Sequence, residues 1–422
     1  MSPLLCLLAP IVMTQAPLQG EPLLNELQHR AFKFFWNESH PVTGFTKDRA
    51  ANFKDKDEYD VSSVASTGFA LAAYAIGVER KWVPREQALE RTRRTLRHLL
   101  TTHQGEKGWF YHFINWETGK RVWNCELSSI DTSILLAGVI VADAYWKDPQ
   151  VNRDAKAILE RVDWRHMMRD VNGKPEHEFF SMGWKPEDGW IKATWAGYNE
   201  LMMLYVQGYG QADIRSDGWD RIRRDVHTDR GHTFIEGGPL FMHQMSHVWY
   251  DFGKRRDRGG FNYWIATREA TLANRAYCID NPNGFKAYGR HFWGISACDT
   301  PDGYRALGTP PSKEDNGTIT PTSPIASLEF TPKESLEFVN GFHRDFPRAI
   351  GRYGYSNGVN VHRDWYGPDV IGIDLGMMML GVENYRTKLI HKLSMSHPVV
   401  IRGFERAGLR AVPDNSGPLR TD

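Results

Sequence analysis

The sequence predicts an all-α chain folded as an (α/α)6 barrel, a toroid of six inner and six outer helices. Three observations lead there. Apolar, small-residue helical segments alternate along the chain with charged, amphipathic ones, about a dozen in all. Few stretches read as strands. No fixed-period sequence repeat accompanies the alternation, which argues against a solenoid. A helix that is apolar on every face must be enclosed, whereas one with a single apolar stripe needs only one covered side. An inner ring wrapped by an outer ring meets both demands.

Taken in order, residues 21–38 place Leu24, Leu27, Ala31, Phe34 and Phe35 on one stripe and stop near His40-Pro41. Residues 61–82 form a mostly apolar helix with Ser62, Ser63, Ser66 and Thr67 at its front and Gly68 inside. Pro84 opens the charged helix REQALERTRRTLRHLL, whose Leu89, Leu96, Leu99 and Leu100 share a stripe. The stretch WNCELSSIDTSILLAGVIVADAYW, 123–146, supplies a central helix. Its part from 132 to 145 is almost continuously apolar around Ala137 and Gly138, about fourteen residues and too short for a membrane span. Ser128 and Ser129 are its candidate caps. Residues 149–170 read as a charged amphipathic helix, and 195–209 as a buried one that opens with Asn199 and Glu200. Within 239–252, His243, His247 and Asp251 fall at i, i+4 and i+8, hence on one helical face. A more charged helix, 263–277, precedes a loop, 280–331, long enough to mark a functional segment. The chain closes with an amphipathic helix at 332–346, a Met-rich buried helix at 374–385 and a C-terminal helix near 386–396.

Composition narrows the function. Lys and Arg number 52 against 51 Asp and Glu, so there is no basic footprint for nucleic acid. The aromatic share of 12% includes 15 Trp, whose flat apolar faces suit pyranose rings. The apolar run 3–13 followed by Thr14-Gln15-Ala16 predicts a signal peptide over 1–16, with 17–422 as one domain exported to the periplasm or medium. No other window reads as a membrane span. Cys125, Cys278 and Cys298 then remain, an odd set without CxxC spacing that fits neither a disulfide framework nor a zinc cluster.

The chemistry gathers at the fronts of the buried helices, where Glu126, Asp131, Glu200 and Asp374 stand. In a toroid these acids meet at one mouth. Cleavage of a glycosidic bond needs such a set, one carboxylic acid to protonate the leaving oxygen and one carboxylate to activate water or attack carbon. Taken singly, each acid is as readily a cap or an ion-pair partner. His243, His247 and Asp251 have the face geometry of a metal site, but HQMSH lacks the glutamate beside the first histidine that zincins use. Ser128 and Ser129 lack the GxSxG turn of a hydrolase triad. Met377–Met379 reads as core filler, and no phosphate loop or dinucleotide fingerprint occurs.

Several blocks together resemble a known family. WNCELSSIDTSILLAG, GWKPEDGW followed by WAGYNELMMLY, PLFMHQMSHVWYDF, WGISACDTPDGY, NGTITPTSPIASL and GIDLGMMMLGVENYR are similar, in order, to the glucoamylase-like bacterial proteins of glycoside hydrolase family 144. The resemblance implies an (α/α)6 barrel acting on β-1,2-glucan with inversion at the anomeric carbon, and no metal or organic cofactor. It implies Glu200 as general acid and Asp374 as general base, with Glu126 and Asp131 holding the sugar or the attacking water. Trp184, Glu187, Trp195, Tyr198, His243, His247 and Asp251 would line the cleft. The sequence departs from the family at YGYSNGVN (353–360), where Asn357-Gly358 stands in place of an acid, and at Met377, which replaces a common Pro. Two rival functions use the same residues: transglycosylation on the same polymer, and glucan binding without catalysis.

Overall fold

The computed structural model describes residues 18–55, 58–170, 178–310 and 314–421; the expected signal peptide lies outside them. Fourteen helices are formed among the described residues: α1 (Gly20–Asn37), α2 (Val64–Glu79), α3 (Arg85–Thr101), α4 (Ser129–Trp146), α5 (Pro149–Glu160), α6 (Met202–Gln211) and α7 (Gly218–Arg221) in the first half. The second half adds α8 (Leu240–Trp249), α9 (Tyr263–Asp280), α10 (Thr322–Ala326), α11 (Pro332–Asp345), α12 (Gly372–Thr387), α13 (Leu389–Met395) and α14 (Pro398–Arg406).

Six of them close a ring: α2, α4, α6, α8, α10 and α12 each pack on the next, and α12 returns to α2. Around them α1 covers α12 and α2, α3 and α5 cover α4, α14 covers α6, α9 covers α8, and α11 covers α10. The (α/α)6 barrel read from the alternation is therefore present. The alternation breaks once, between α6 and α8, which are successive inner helices joined only through α7 and the hairpin Val226–Asp229/His232–Ile235. The outer position left beside α6 is filled from the far end of the chain by α14. Meanwhile α13 packs against α4, α8 and α12 together.

The inner helices touch backbone to backbone where glycines allow it. A Cβ on Gly138 of α4 would stand 2.1 Å from the carbonyl oxygen of Gly68 in α2, and one on Gly68 would stand 2.6 Å from the carbonyl oxygen of Ile134. At α4, eighteen residues replace the expected fourteen, because the Ser128 side chain caps the amide of Asp131 and starts the helix earlier. At that length α4 is apolar enough to cross a bilayer, but Ser129 through Ala142 are buried without a break inside the ring. Enclosure by α2, α3, α5 and α6 removes its apolar surface from water, roughly 1.5–3 kcal/mol for each large aliphatic side chain.

Other boundaries move for local reasons. The helix expected over 149–170 ends at Glu160, and Trp164–Met167 forms a separate 3-10 turn capped by Asp163. The segment 195–201 is irregular, since its amides are committed to neighbours: Trp195 N bonds Phe180 O and Tyr198 N bonds Arg223 O. As a result α6 starts only at Met202. Extended backbone at Tyr250 ends α8 at Trp249, so Asp251 lies beyond the helix and does not share a face with His243 and His247. The long 280–331 segment carries the hairpin Ala297–Thr300/Gly303–Ala306 and the short α10.

Candidate active site

Short strands at the rim deliver the acids. Residues Val61–Ser63 pair with Phe113–Asn115, Leu127–Ser128 with Gly183–Lys185, and Arg49–Ala51 with Asp369–Ile371. Three of these strands run directly into α2, α4 and α12. The rim is thus pinned to the starts of the inner helices, and side chains there are fixed in position by three ladders rather than by loops.

A cavity of about 310 Å³ opens at this mouth, lined by Asp48, Arg49, His112, Asp131, Glu200 and Tyr304 and by the apolar Phe113, Ile130, Ile134, Phe241, Met245, Ile371 and Ile373. A larger cavity of about 580 Å³ lies between α5, α6 and α14, but none of the four acids borders it. Volume does not locate the chemistry here; the acids do.

Glu200 is buried two residues ahead of α6, and its Oε2 has no hydrogen-bond partner. Burial, with a smaller push from the negative charge of Asp131, raises its carboxyl to about 7. Its main-chain oxygen is held by the hydroxyl of Ser246 on α8, at 2.7 Å. Asp374 sits in the first turn of α12, also buried, behind the wall made by Ile371 and Ile373. Burial pushes it up to about 7, against the donated hydrogen bond from Asn357 Nδ2 (2.6 Å). The amide of Asn357 is oriented unambiguously, since its Oδ1 accepts from the backbone N–H of Asp299 at 2.7 Å.

Between them lies an ion cluster. His112 Nδ1 is 2.9 Å from Glu126 Oε1, and its Nε2 is 3.5 Å from Asp131 Oδ2. Burial alone would lower this histidine, but the charges of Asp131 and Glu126 outweigh burial and hold it up at about 9. It is therefore an imidazolium at neutral pH. Burial likewise would raise Glu126, yet the bond and charge of His112 keep it below its ordinary value. Asp131 accepts from the hydroxyl of Ser128 at 2.6 Å. On the far side Arg49 stands 3.1 Å from Asp299, 3.5 Å from Asp369 and 3.8 Å from Asp48. Burial raises Asp48.

Of the residues named from the sequence, Asp131 and Glu200 line the cavity, Glu126 joins them through His112, and Asp374 lies behind Ile371 and Ile373 without bordering it. The other seven stand apart from this cavity. Trp184 lies on the strand that pairs with Leu127 and rests against His166, and Glu187 is paired with Arg121 at 2.7 and 3.0 Å in an exposed turn. Trp195 donates to Ser129 Oγ at 2.8 Å, fixing the start of α4. Tyr198 stacks on Tyr263 and borders His243. His243 and His247 are buried on the outer side of α8, and burial lowers them to about 4 and about 3, so both are neutral. The face of α8 that reaches the cavity carries Phe241 and Met245 instead. Asp251 belongs to the opposite rim. Unforeseen members are Asp48, Arg49, His112, Asp299 and Tyr304. The adjacent charge pair Asp48-Arg49 in FTKDRA is the signal available for two of them.

An (α/α)6 barrel with a neutral-range Glu and Asp across an acid-lined mouth defines the structural class. The Glycoamylase family model matches residues 192–398, which include both of those acids. That match agrees with the resemblance read from the sequence blocks. A curated relative, the exo β-1,2-glucooligosaccharide sophorohydrolase (non-reducing end) of Parabacteroides distasonis, is 27% identical over 436 residues, covering 93% of this chain. The chain spans 58% of that relative's length. Among solved structures, an endo-β-1,2-glucanase from Chitinophaga pinensis in complex with sophorotriose and glucose is 26% identical, with a TM-score of 0.86 over 94% of this chain and 99% of that one. An endo-β-1,2-glucanase from Talaromyces funiculosus, 13% identical with a TM-score of 0.68, covers 92% of this chain and 89% of its own and shares the fold alone.

Proposed function

We propose that this chain is a glycoside hydrolase that cleaves β-1,2-glucan to sophorose or short β-1,2-glucooligosaccharides, with inversion of anomeric configuration. The observation that carries the reading is Glu200: a buried carboxyl held at about 7, with an unpartnered oxygen in an acid-lined cavity. A carboxyl in that state carries its proton in about half of the molecules at neutral pH and can hand it to the glycosidic oxygen as the bond breaks. Asp374, across the mouth, takes the proton of the attacking water, directly or through a relay around the Ile371–Ile373 wall. The His112 imidazolium keeps Glu126 below its ordinary value, as an anion suited to accept sugar hydroxyl hydrogen bonds and to stabilise positive charge developing on the ring. The β-1,2-glucan activities of the Parabacteroides and Chitinophaga relatives support the choice of linkage. Action in the periplasm or medium is part of the same proposal and rests on the apolar run 3–13.

The test is a product assay on β-1,2-glucan, with chromatography for chain length and proton NMR for the first-formed anomer. Release of α-anomeric sophorose or oligomers is expected. Products of increased chain length, or none, would reject hydrolysis; a first-formed β-anomer would reject inversion.

A further inference from the structure

The C-terminal ends of α8, α10 and α12, consecutive members of the inner ring, bring a second set of side chains together at the rim opposite the acids. Asp251 follows α8, Glu329 follows α10, and His391 lies in the first turn of α13, just after α12. One donor atom from each lies within 4.8 Å of the other two. His391 is only 4% exposed. Its Nε2 is 2.7 Å from the carbonyl oxygen of His247, and because a carbonyl only accepts, Nε2 carries the proton. The other ring nitrogen, Nδ1, has no hydrogen-bond partner and stands 3.8 Å from Glu329 Oε2. A cation lying between Nδ1 and the carboxylate satisfies both, as would a second proton on the ring, and a zinc titration separates the two.

The neighbouring cations do not fill that role. Lys388 pairs with the other oxygen of Glu329, and Arg255 donates to the main-chain oxygen of Asp251 at 2.9 Å. Asp251 Oδ1 accepts from the amide of Gly253 at 2.8 Å, which fixes its carboxylate. An imidazole aimed by its far N–H onto a backbone carbonyl is also how metal-binding histidines are oriented.

We propose that Asp251, Glu329 and His391 bind a divalent transition-metal ion of the zinc type, which ties together the exits of three inner helices. One imidazole nitrogen with two carboxylates suits zinc, whereas calcium and magnesium favour all-oxygen shells. Donors around tetrahedral zinc, at bonds of about 2.1 Å, stand roughly 3.4 Å apart, so the three must draw in by about an ångström. Asp251 and Glu329 are partly buried, and closing that gap falls to their side chains against the Gly253 amide and Lys388 that hold them. A water completes the shell. The role is structural, and it does not depend on the β-1,2-glucanase reading. The resemblance to a cofactor-free family concerns the acid-lined mouth at the other rim.

The full chain, stripped with EDTA and dialysed, is titrated with zinc by calorimetry and melted with and without the metal. One zinc per chain and a Tm rise of a few degrees are expected, since a ligand that binds only the folded state stabilises it. Glu329→Gln and Asp251→Asn should each weaken zinc binding at least tenfold and abolish the Tm rise, while keeping the circular dichroism of the metal-free chain. If Glu329→Gln fails to fold because Lys388 loses its partner, Asp251→Asn, which leaves that pair intact, decides alone. Failure of the wild-type chain to take up zinc, as an imidazolium paired with Glu329 would cause, overturns the proposal. So does uptake with unchanged affinity in the variants.

Discussion

Replacing Asn357 by aspartate exchanges one hydrogen-bond donor for an acceptor beside Asp374 and leaves the surrounding shape intact. The Asn357 amide donates to Asp374 at 2.6 Å and holds that carboxyl down; even so, burial keeps it at about 7. A hydrogen bond to a charged group contributes roughly 1.5–3 kcal/mol, so its loss, with a second carboxylate in its place, raises the pair by about 1–2 pH units. The consequence for rate follows from the two protonation states required. With Glu200 protonated and Asp374 ionised, both titrating at about 7, about a quarter of the enzyme is competent at the optimum near pH 7. Raising Asp374 alone by 1–2 units moves the optimum of kcat/KM alkaline by about 0.5–1 unit and lowers its peak by roughly 4- to 30-fold. The assay is the pH profile of reducing-sugar release from β-1,2-glucan by wild type and Asn357→Asp. An unchanged optimum with an unchanged peak would remove Asp374 from the role of base.

Three further outcomes are expected. Glu200 and Asp374 are raised in the folded chain, so their contribution to stability is intact below the unfolded values near pH 4 and is lost as pH rises towards 7, on the order of 2–4 kcal/mol for each. Urea midpoints should therefore fall between pH 5 and 8 for wild type, and less for Glu200→Gln; equal slopes would refute the burial argument. His112 is the opposite case: held at about 9, it stabilises fully below its unfolded value near 6.5 and loses that effect as pH passes 9. His112→Gln should cost about 3 kcal/mol at pH 6.5 and little above pH 9, and a pH-independent loss would mean that packing rather than charge is at stake. Gly138→Ala should lower the unfolding free energy from urea titration by about 1–3 kcal/mol, because the added Cβ meets the Gly68 carbonyl at 2.1 Å. Helix propensity alone predicts a gain of about 1 kcal/mol, so the sign of the change separates the two accounts.

The barrel was legible because its inner helices are apolar all round and its outer ones are not; α2, α4 and α12 announce themselves by continuous burial. The exception between α6 and α8 was not, since only tertiary packing assigns α14 to the outer position beside α6. Among the site residues, those at helix fronts could be found: Asp131 and Asp374 lie in first turns, and Glu200 just ahead of one. His112, Asp48 and Arg49 stand on or beside strands of two or three residues, too short for any alternation to show. Asp251 was misplaced because the i, i+8 spacing presumes a helix that the extended Tyr250 ends. Trp195 and Tyr198 were correctly read as buried, but spacing cannot tell packing from a sugar platform.

The decisive measurement is the turnover of Glu200→Gln on β-1,2-glucan at the wild-type optimum, together with its affinity for the polymer. Glutamine keeps the shape of the side chain and cannot supply the proton. On the proposed mechanism the carboxyl that burial holds at about 7 is the proton source, so turnover should fall by roughly 10²–10⁴-fold while binding persists. Turnover near that of wild type would contradict the assignment and make Glu126 the next acid to test.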